Sequence, residues 1–389
     1  MSAPGSHGSA SPFFTLAHRD ATTGARAGIV HTGHGDIPTP VFMPVGTQGT
    51  VKAVEQRELV DIGARIIRAN TYHLALRPGA DFLRERGGLH RFMAWNGAML
   101  TDSGGYPLYS LAQMRRIEQS GVTFRSHIDG SVHRFTPESV IDIQRDIGSD
   151  IMMILDECPA ADCGYEYAAR SAELTLRWAA QAREHLGKTV PHYGHTLAAF
   201  GIVQGNVFQD LRLRNAEGLI ALDFDGYAIG GLAVGEDIDT MYEVTGYTAA
   251  ALPAHKPRYL MGVGTPLNIV EAVSRGVDMF DCVMPTRDGR HGLLFTFDGP
   301  LPIDKERFAR DEAPIDAQCG CYACATFSRA YLRHLFHVRE TLAMQLASQH
   351  NLAFYLQLTR DMRNAILGDV FSGWKQQFIA RYTSGTHAA

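Results

Sequence analysis

Short apolar runs alternate with longer amphipathic stretches along most of the chain. Continuous runs at 41–45, 65–69, 98–101, 151–155, 200–203, 227–229, 258–261 and 279–283 predict eight strands. Unbroken apolar character, rather than strict alternation, is what a parallel strand covered on both faces requires. Between these runs, 55–62, 137–147, 165–186, 207–222, 238–251 and 266–275 have the spacing of helices that bury one face. Eight β-then-α units predict an α/β fold, a (β/α)8 TIM barrel in preference to an open doubly wound sheet. Two stretches leave the alternation. At 108–135, Asp129-Gly130 lies between alternating residues and predicts a hairpin inserted after the third strand. At 298–350 a cysteine cluster predicts a metal-binding subdomain, which leaves 13–297 and 351–385 for the barrel. Residues 1–12 are small and polar and read as a disordered tail.

In barrels of this kind, reactive groups sit where strands end. Asn70, Asp102, Asp156, Gln204, Gly231, Gly262 and Asp281 fall at or just beyond the predicted strand ends. Asp281 interrupts an apolar run, and a buried carboxylate is costly unless it is paired or used. A single such acid reads equally well as a structural cap. Three, each ending a different strand, favour an active site. Asp102 precedes Ser103, Gly104 and Gly105, where missing side chains let a ligand approach the backbone. A carboxylate at 156, a carboxamide at Gln204 and a backbone N–H at Gly231 complement the edge of guanine, and of other amide-bearing heterocycles. Thr286, Arg287, Asp288, Gly289 and Arg290 read as a polar loop whose guanidinium groups suit an anion such as phosphate.

Composition narrows the picture. The chain has 389 residues, 45% hydrophobic and 20% charged, the make-up of an ordinary globular protein. A net charge of -5 is no global signature of nucleic-acid binding, so any basic surface must be local. No apolar run approaches the roughly 18 residues of a membrane span. The N-terminus lacks a signal-peptide core, which makes the cytoplasm the default. Six cysteines are too few for a disulfide scaffold. Cys319, Cys321 and Cys324 form C-x-C-x2-C, with His350 26 residues further on. Three thiolates and an imidazole predict a closed structural Zn2+ site with no open position for catalysis. Residues 327–335 predict a helix with Arg329, Arg333 and His337 along one stripe, either a solvated face or an RNA-phosphate contact.

Taken together, these residues resemble the bacterial-type tRNA-guanine transglycosylases (queuine tRNA-ribosyltransferases) over about 13–378. The resemblance rests on Thr101-Asp-Ser-Gly-Gly-Tyr, Asp156-Glu-Cys-Pro, Gly201-Ile-Val-Gln-Gly, Gly230-Gly-Leu-Ala-Val-Gly-Glu, Tyr259-Leu-Met-Gly-Val-Gly-Thr-Pro, Phe280-Asp-Cys-Val-Met-Pro-Thr-Arg and the Cys3His set. It implies a homodimer that exchanges guanine at the wobble position of tRNAs with GUN anticodons (Asp, Asn, His, Tyr) for 7-aminomethyl-7-deazaguanine, toward queuosine. It implies Asp281 as the nucleophile and Asp102 as the general acid/base. Around the base it implies Asp102, Asp156, Gln204, Gly231, Leu232, Tyr106, Met261 and Cys158. Against the anticodon loop it implies Gly262, Val263, Gly264, Thr265, Pro266, Leu267 and Asn268, together with Thr286 to Arg290. Cys158 and Val234 match the members that take the small aminomethyl base. One departure is Tyr106-Pro107-Leu108, where the family has an aromatic, Gln and an apolar residue. Pro107 removes an amide and a backbone N–H beside Asp102. A non-catalytic tRNA-binding subunit of a transglycosylase complex is the rival, and intact Asp102, Asp156 and Asp281 argue against it.

Overall fold

The computed structural model describes residues 12–105 and 115–386. The expectations for 1–11, Tyr106 and Pro107 lie outside the described residues. Eight parallel strands form the barrel, numbered here by themselves: β1 Val41–Met43, β2 Ile66–Asn70, β3 Ala98–Asp102, β4 Ile151–Met153, β5 Ala198–Val203, β6 Gly226–Ile229, β7 Arg258–Leu260 and β8 Met279–Asp281. From β2 to β8 each strand pairs with the next in chain order, and β8 pairs with β1 through Phe280 opposite Phe42. The last seam, β1 to β2, closes by a bridge between Val45 and Arg68, with Arg68 N–H donating to Pro44 O at 2.9 Å. The fold is a (β/α)8 barrel.

Most strand positions are fully buried, as the continuous apolar runs required. Four strands end earlier than hydropathy suggests, because Ile154 and Leu155, for example, stay buried after pairing stops at Met153. Loop residues folding over the mouth are as apolar as the strand below them, so hydropathy does not mark the boundary.

Helices follow the strands and start where local chemistry permits. Thr136 accepts from Ser139 N–H before Pro137, and Thr265 accepts from Asn268 N–H before Pro266. The insertion after β3 is a three-stranded antiparallel sheet of Arg115–Glu118, Gly121–Arg125 and Val132–Phe135, with Asp129-Gly130 in the expected turn. A second small sheet, Phe14–Arg19, Arg26–Thr32 and Gly35–Thr39, is tied to the N-terminal end of the barrel by a buried ion pair from Arg26 to Asp278, just before β8.

Two local expectations are corrected. Thr286 to Arg290 is not a loop but part of a helix, Met284–Arg290, with Pro285 in its first turn, where a missing N–H costs nothing. Gly289 is buried against the helix Thr341–Leu367, where an added Cβ would lie 3.0 Å from Ala347 O. The glycine serves helix packing. On the helix Arg329–His337, Arg329 pairs with Asp311 and Arg333 with Glu306, so both are engaged with the 304–316 segment rather than forming a free basic stripe.

Candidate active site

The C-terminal ends of the strands surround a cavity of about 340 Å3. Asp102, Asp156, Gln204, Gly231, Leu232, Met261, Gly262, Asp281 and Cys158 all line it, so the barrel brings together residues from six widely separated stretches.

Asp281 ends β8 and is buried. Tyr259 O–H donates to its Oδ1 at 2.6 Å and Gly262 N–H to the same oxygen at 2.8 Å. Burial, then the neighbouring Asp281 charge, pushes the Tyr259 hydroxyl well above its ordinary range, so it stays a donor. The other oxygen, Oδ2, lies 3.5 Å from Arg68 Nε.

Asp102 ends β3. Asn70 Nδ2 donates to its Oδ2 at 2.7 Å, Thr71 N–H to Oδ1 at 3.2 Å, and Arg68 also donates to Oδ2. Burial raises the Asp102 carboxyl, and the Arg68 charge opposes that rise. Arg68 therefore holds both carboxylates. Burial disfavours its charge, yet Asp102 and Asp281 outweigh burial and raise its pKa further. Sequence reading passed over Arg68 as part of an apolar strand. The signal was present, since a guanidinium amid Ile66, Ile67 and Ala69 is the same anomaly that marked Asp281.

Asp156 lies three residues beyond the end of β4. Gln204 Nε2 donates to its Oδ2 at 2.8 Å and Ser103 Oγ to its Oδ1 at 3.1 Å. Gln204 Oε1 is buried without a partner, a polar atom left for something that enters the cavity. Gly231 has φ +64, and a Cβ there would lie 2.4 Å from that oxygen, so only glycine brings this backbone to the site. Buried Arg212 holds the turn from behind, donating to Gly230 O at 2.9 Å and Gly231 O at 3.3 Å.

Burial raises the Asp156 carboxyl to about 6, against the lowering by Gln204 and Ser103. Because that value lies above the ordinary 3.8 of an unfolded Asp, the protonated form favours folding. This contribution is complete below the unfolded value and is lost as pH rises through about 6. Keeping the carboxylate ionised at pH 8 therefore costs the unliganded fold about 3 kcal/mol. Asp156→Asn is expected to raise the Tm of the ligand-free protein at pH 8, and the gain is expected to roughly halve at pH 5. Thermal melts at the two pH values check this; a gain independent of pH would contradict it.

The rim is more uneven. Gly262 and Arg287 face the cavity and are exposed. Val263, Gly264, Pro266, Thr286 and Gly289 are buried and shape the rim from beneath. A Cβ at Gly264 would overlap Cys282 at 2.0 Å, so the loops after β7 and β8 touch only because this residue is glycine. Thr265 caps the helix Pro266–Ser274, Asn268 Oδ1 accepts from Tyr242 O–H at 2.8 Å, and Leu267 is half-buried. Arg287 Nε donates to Asp288 at 3.0 Å, while Arg290 is half-buried.

Away from the mouth, the ligating atoms of Cys319, Cys321, Cys324 and His350 lie within 4.8 Å of one another. His350 Nε2–H donates to Phe295 O at 2.8 Å, which fixes the tautomer and turns Nδ1 toward the sulfurs of Cys324 and Cys321, 3.3 and 3.6 Å away. This donor set fits a metal ion. His350 sits within the helix Thr341–Leu367, which also packs against β1.

The chain is similar to known proteins over nearly its whole length. Residues 20–384 match the family model described as queuine tRNA-ribosyltransferase. The queuine tRNA-ribosyltransferase of Caldanaerobacter subterraneus subsp. tengcongensis is 52% identical over 369 residues, 95% of this chain and 97% of that protein. The one from Lawsonia intracellularis is 54% identical over 366 residues, 94% of this chain and 98% of its own.

Proposed function

Since the chain belongs to the queuine tRNA-ribosyltransferase family, we propose that it exchanges guanine at the wobble position of GUN-anticodon tRNAs for 7-aminomethyl-7-deazaguanine, through a covalent Asp281 intermediate. The observation that carries this reading is the convergence of Asp281, Asp102, Asp156 and Gln204 on one cavity.

Asp281 Oδ2 attacks C1′ of the nucleotide. An ester bond forms there as the glycosidic C1′–N9 bond breaks and guanine leaves with the electron pair. Tyr259 and Gly262 hold Oδ1 and so aim Oδ2 at the sugar. Asp102 hands a proton to the leaving base and takes one from the incoming base, whose N9 then attacks C1′ and frees the carboxylate. Two displacements retain the configuration, as in retaining glycosidases. Ionised Asp156 accepts from the N–H groups of the purine edge, while the Gln204 Nε2 hydrogen not given to Asp156 and the Gly231 N–H donate to its carbonyl. Leu232, which lines the cavity with Cys158 and Val234, offers its carbonyl to the aminomethyl ammonium, and the latter two leave room for a small substituent. Met261 lies against the base. At the rim, Gly262 and Arg287 are the exposed groups for the anticodon backbone, in the manner of single-stranded RNA recognition. The Cys3His set holds Zn2+, which supplies a rigid cross-link between chain segments and takes no part in the reaction.

The test is incorporation of radiolabelled guanine into a tRNA whose anticodon begins with G. Incorporation into such a tRNA, but not into one with another wobble base, is expected. Absence of label in both rejects the reading.

Arg68 provides a sharper check on the two acids. Arg68→Met leaves two carboxylates facing each other without their cation. Asp102 is expected to move further up, carrying the alkaline limb of the kcat/KM profile, where this acid loses its proton, up by about 1–3 pH units. Arg68→Lys is expected to restore much of the profile. An unshifted limb in the Met variant would show that Arg68 serves packing alone.

A further inference from the structure

The N-terminal end of the barrel, opposite the cavity, carries a second group of metal-ligating side chains. His34 lies in the turn between the strands Arg26–Thr32 and Gly35–Thr39, and Asp150 immediately precedes β4. His195 lies in the irregular stretch before β5. One ligating atom from each of the three falls within 4.8 Å of the others. Three separate parts of the chain thus meet at one point.

The environment of Asp150 orients it for a ligand. Its Oδ2 accepts from Met99 N–H at 2.8 Å and faces His90 Nε2 at 3.3 Å. Its Oδ1 is left toward His34 Nδ1, 2.8 Å away. Burial raises the Asp150 carboxyl, but the hydrogen bonds of His34 and His90 outweigh burial and hold it down at about 2. The ring of His90 stacks on that of His34 at 3.8 Å between centroids, which fixes the His34 plane. His195 Nε2 is buried and makes no hydrogen bond, an unpartnered polar atom that a ligand would satisfy. His34 remains about a quarter exposed, which leaves a path for an ion and for a solvent ligand.

We propose that His34 Nδ1, Asp150 Oδ1 and His195 Nε2 form a site for a divalent transition-metal ion of the zinc class. The ion replaces the proton shared between His34 and Asp150, which leaves to solvent, and His34 and His195 bind as neutral imidazoles. Two nitrogens and one carboxylate oxygen suit Zn2+, Co2+ or Ni2+ and not Mg2+ or Ca2+, which prefer oxygen. At ordinary bond lengths the donors around a tetrahedral ion lie roughly 3.3 Å apart. The His34–Asp150 spacing opens by about half an ångström, and His195 closes in, to reach that value. Water completes the coordination. Such an ion pins the N-terminal sheet and the segment before β5 to the base of the barrel. It is a structural clamp far from the base-exchange chemistry.

Cobalt distinguishes this site from the Cys3His set, because only the thiolates give sulfur-to-cobalt charge-transfer absorption. The full-length protein is dialysed against Co2+, bound metal is counted by atomic absorption, and spectra are recorded during titration. Two equivalents per chain are expected, the second adding visible d–d bands without further charge-transfer intensity. His195→Ala and His34→Gln are each expected to bind one equivalent, with the charge-transfer band intact. His90→Ala, which spares the three ligands, is expected to keep two. A single equivalent in the unaltered protein overturns the proposal. So does a second equivalent that survives both the His195 and the His34 substitutions. The intact charge-transfer band reports that a variant is folded, so loss of the second ion is not confused with loss of the fold.

Discussion

Asp281→Asn is expected to abolish base exchange, with a loss of about four orders of magnitude or more. The substitution keeps the shape of the side chain, and its amide oxygen still accepts from Tyr259 and Gly262. What it lacks is the second nucleophilic oxygen at the position beside Arg68. No ester to C1′ forms, so guanine has no intermediate through which to leave. Guanine binding should persist, because Asp156, Gln204 and Gly231 are untouched. Two readouts separate the cases. Label incorporation reports turnover, and a protein–RNA band on a denaturing gel reports the covalent state. The Asn variant is expected to show neither while still binding guanine. Undiminished incorporation would sink the covalent mechanism. Incorporation without any adduct in the unaltered protein would point to direct displacement.

Removing the metal from the Cys3His set is expected to have the largest effect on stability. Cys321, Cys324 and His350 are buried, and three thiols crowded without an ion leave their lone pairs and charges uncompensated. Structural zinc sites contribute on the order of 10 kcal/mol in small peptides. Here the helix Thr341–Leu367 also packs on the barrel, so part of the segment is held independently. A loss on the order of 5 kcal/mol or more remains, and for a chain of this size that lowers Tm by roughly 6 °C or more. Cys324→Ser, or exhaustive chelation, checks this by thermal melting with metal counted in parallel. A metal-free protein with an unchanged Tm would remove the structural role.

The pattern of apolar runs was enough to place eight strands and most helices, because covering a parallel strand on both faces is a local demand on composition. Asp281, Asp102 and Asp156 were legible for the converse reason, since a carboxylate in an apolar run needs an explanation. The metal set was legible because its cysteines are adjacent in sequence. Thr286 to Arg290 misled, since Pro and Gly signal a loop, whereas Pro285 opens a helix and Gly289 lets a second helix approach. That contact comes from Ala347, far along the chain.

Residue types alone therefore determined the fold class, the acids at the strand ends and the Cys3His donors, each a statement about a short stretch. Closure of the barrel decided the rest. It set Arg68 of β2 between the acids of β3 and β8, aimed Tyr259 of β7 at Asp281, and left Gln204 Oε1 buried beside a glycine backbone. At the opposite end it gathered His34, Asp150 and His195. Such pairings depend on strand order and on which side of a strand faces inward. Hydropathy is blind to both, because inward and outward positions of a covered parallel strand are mostly apolar alike.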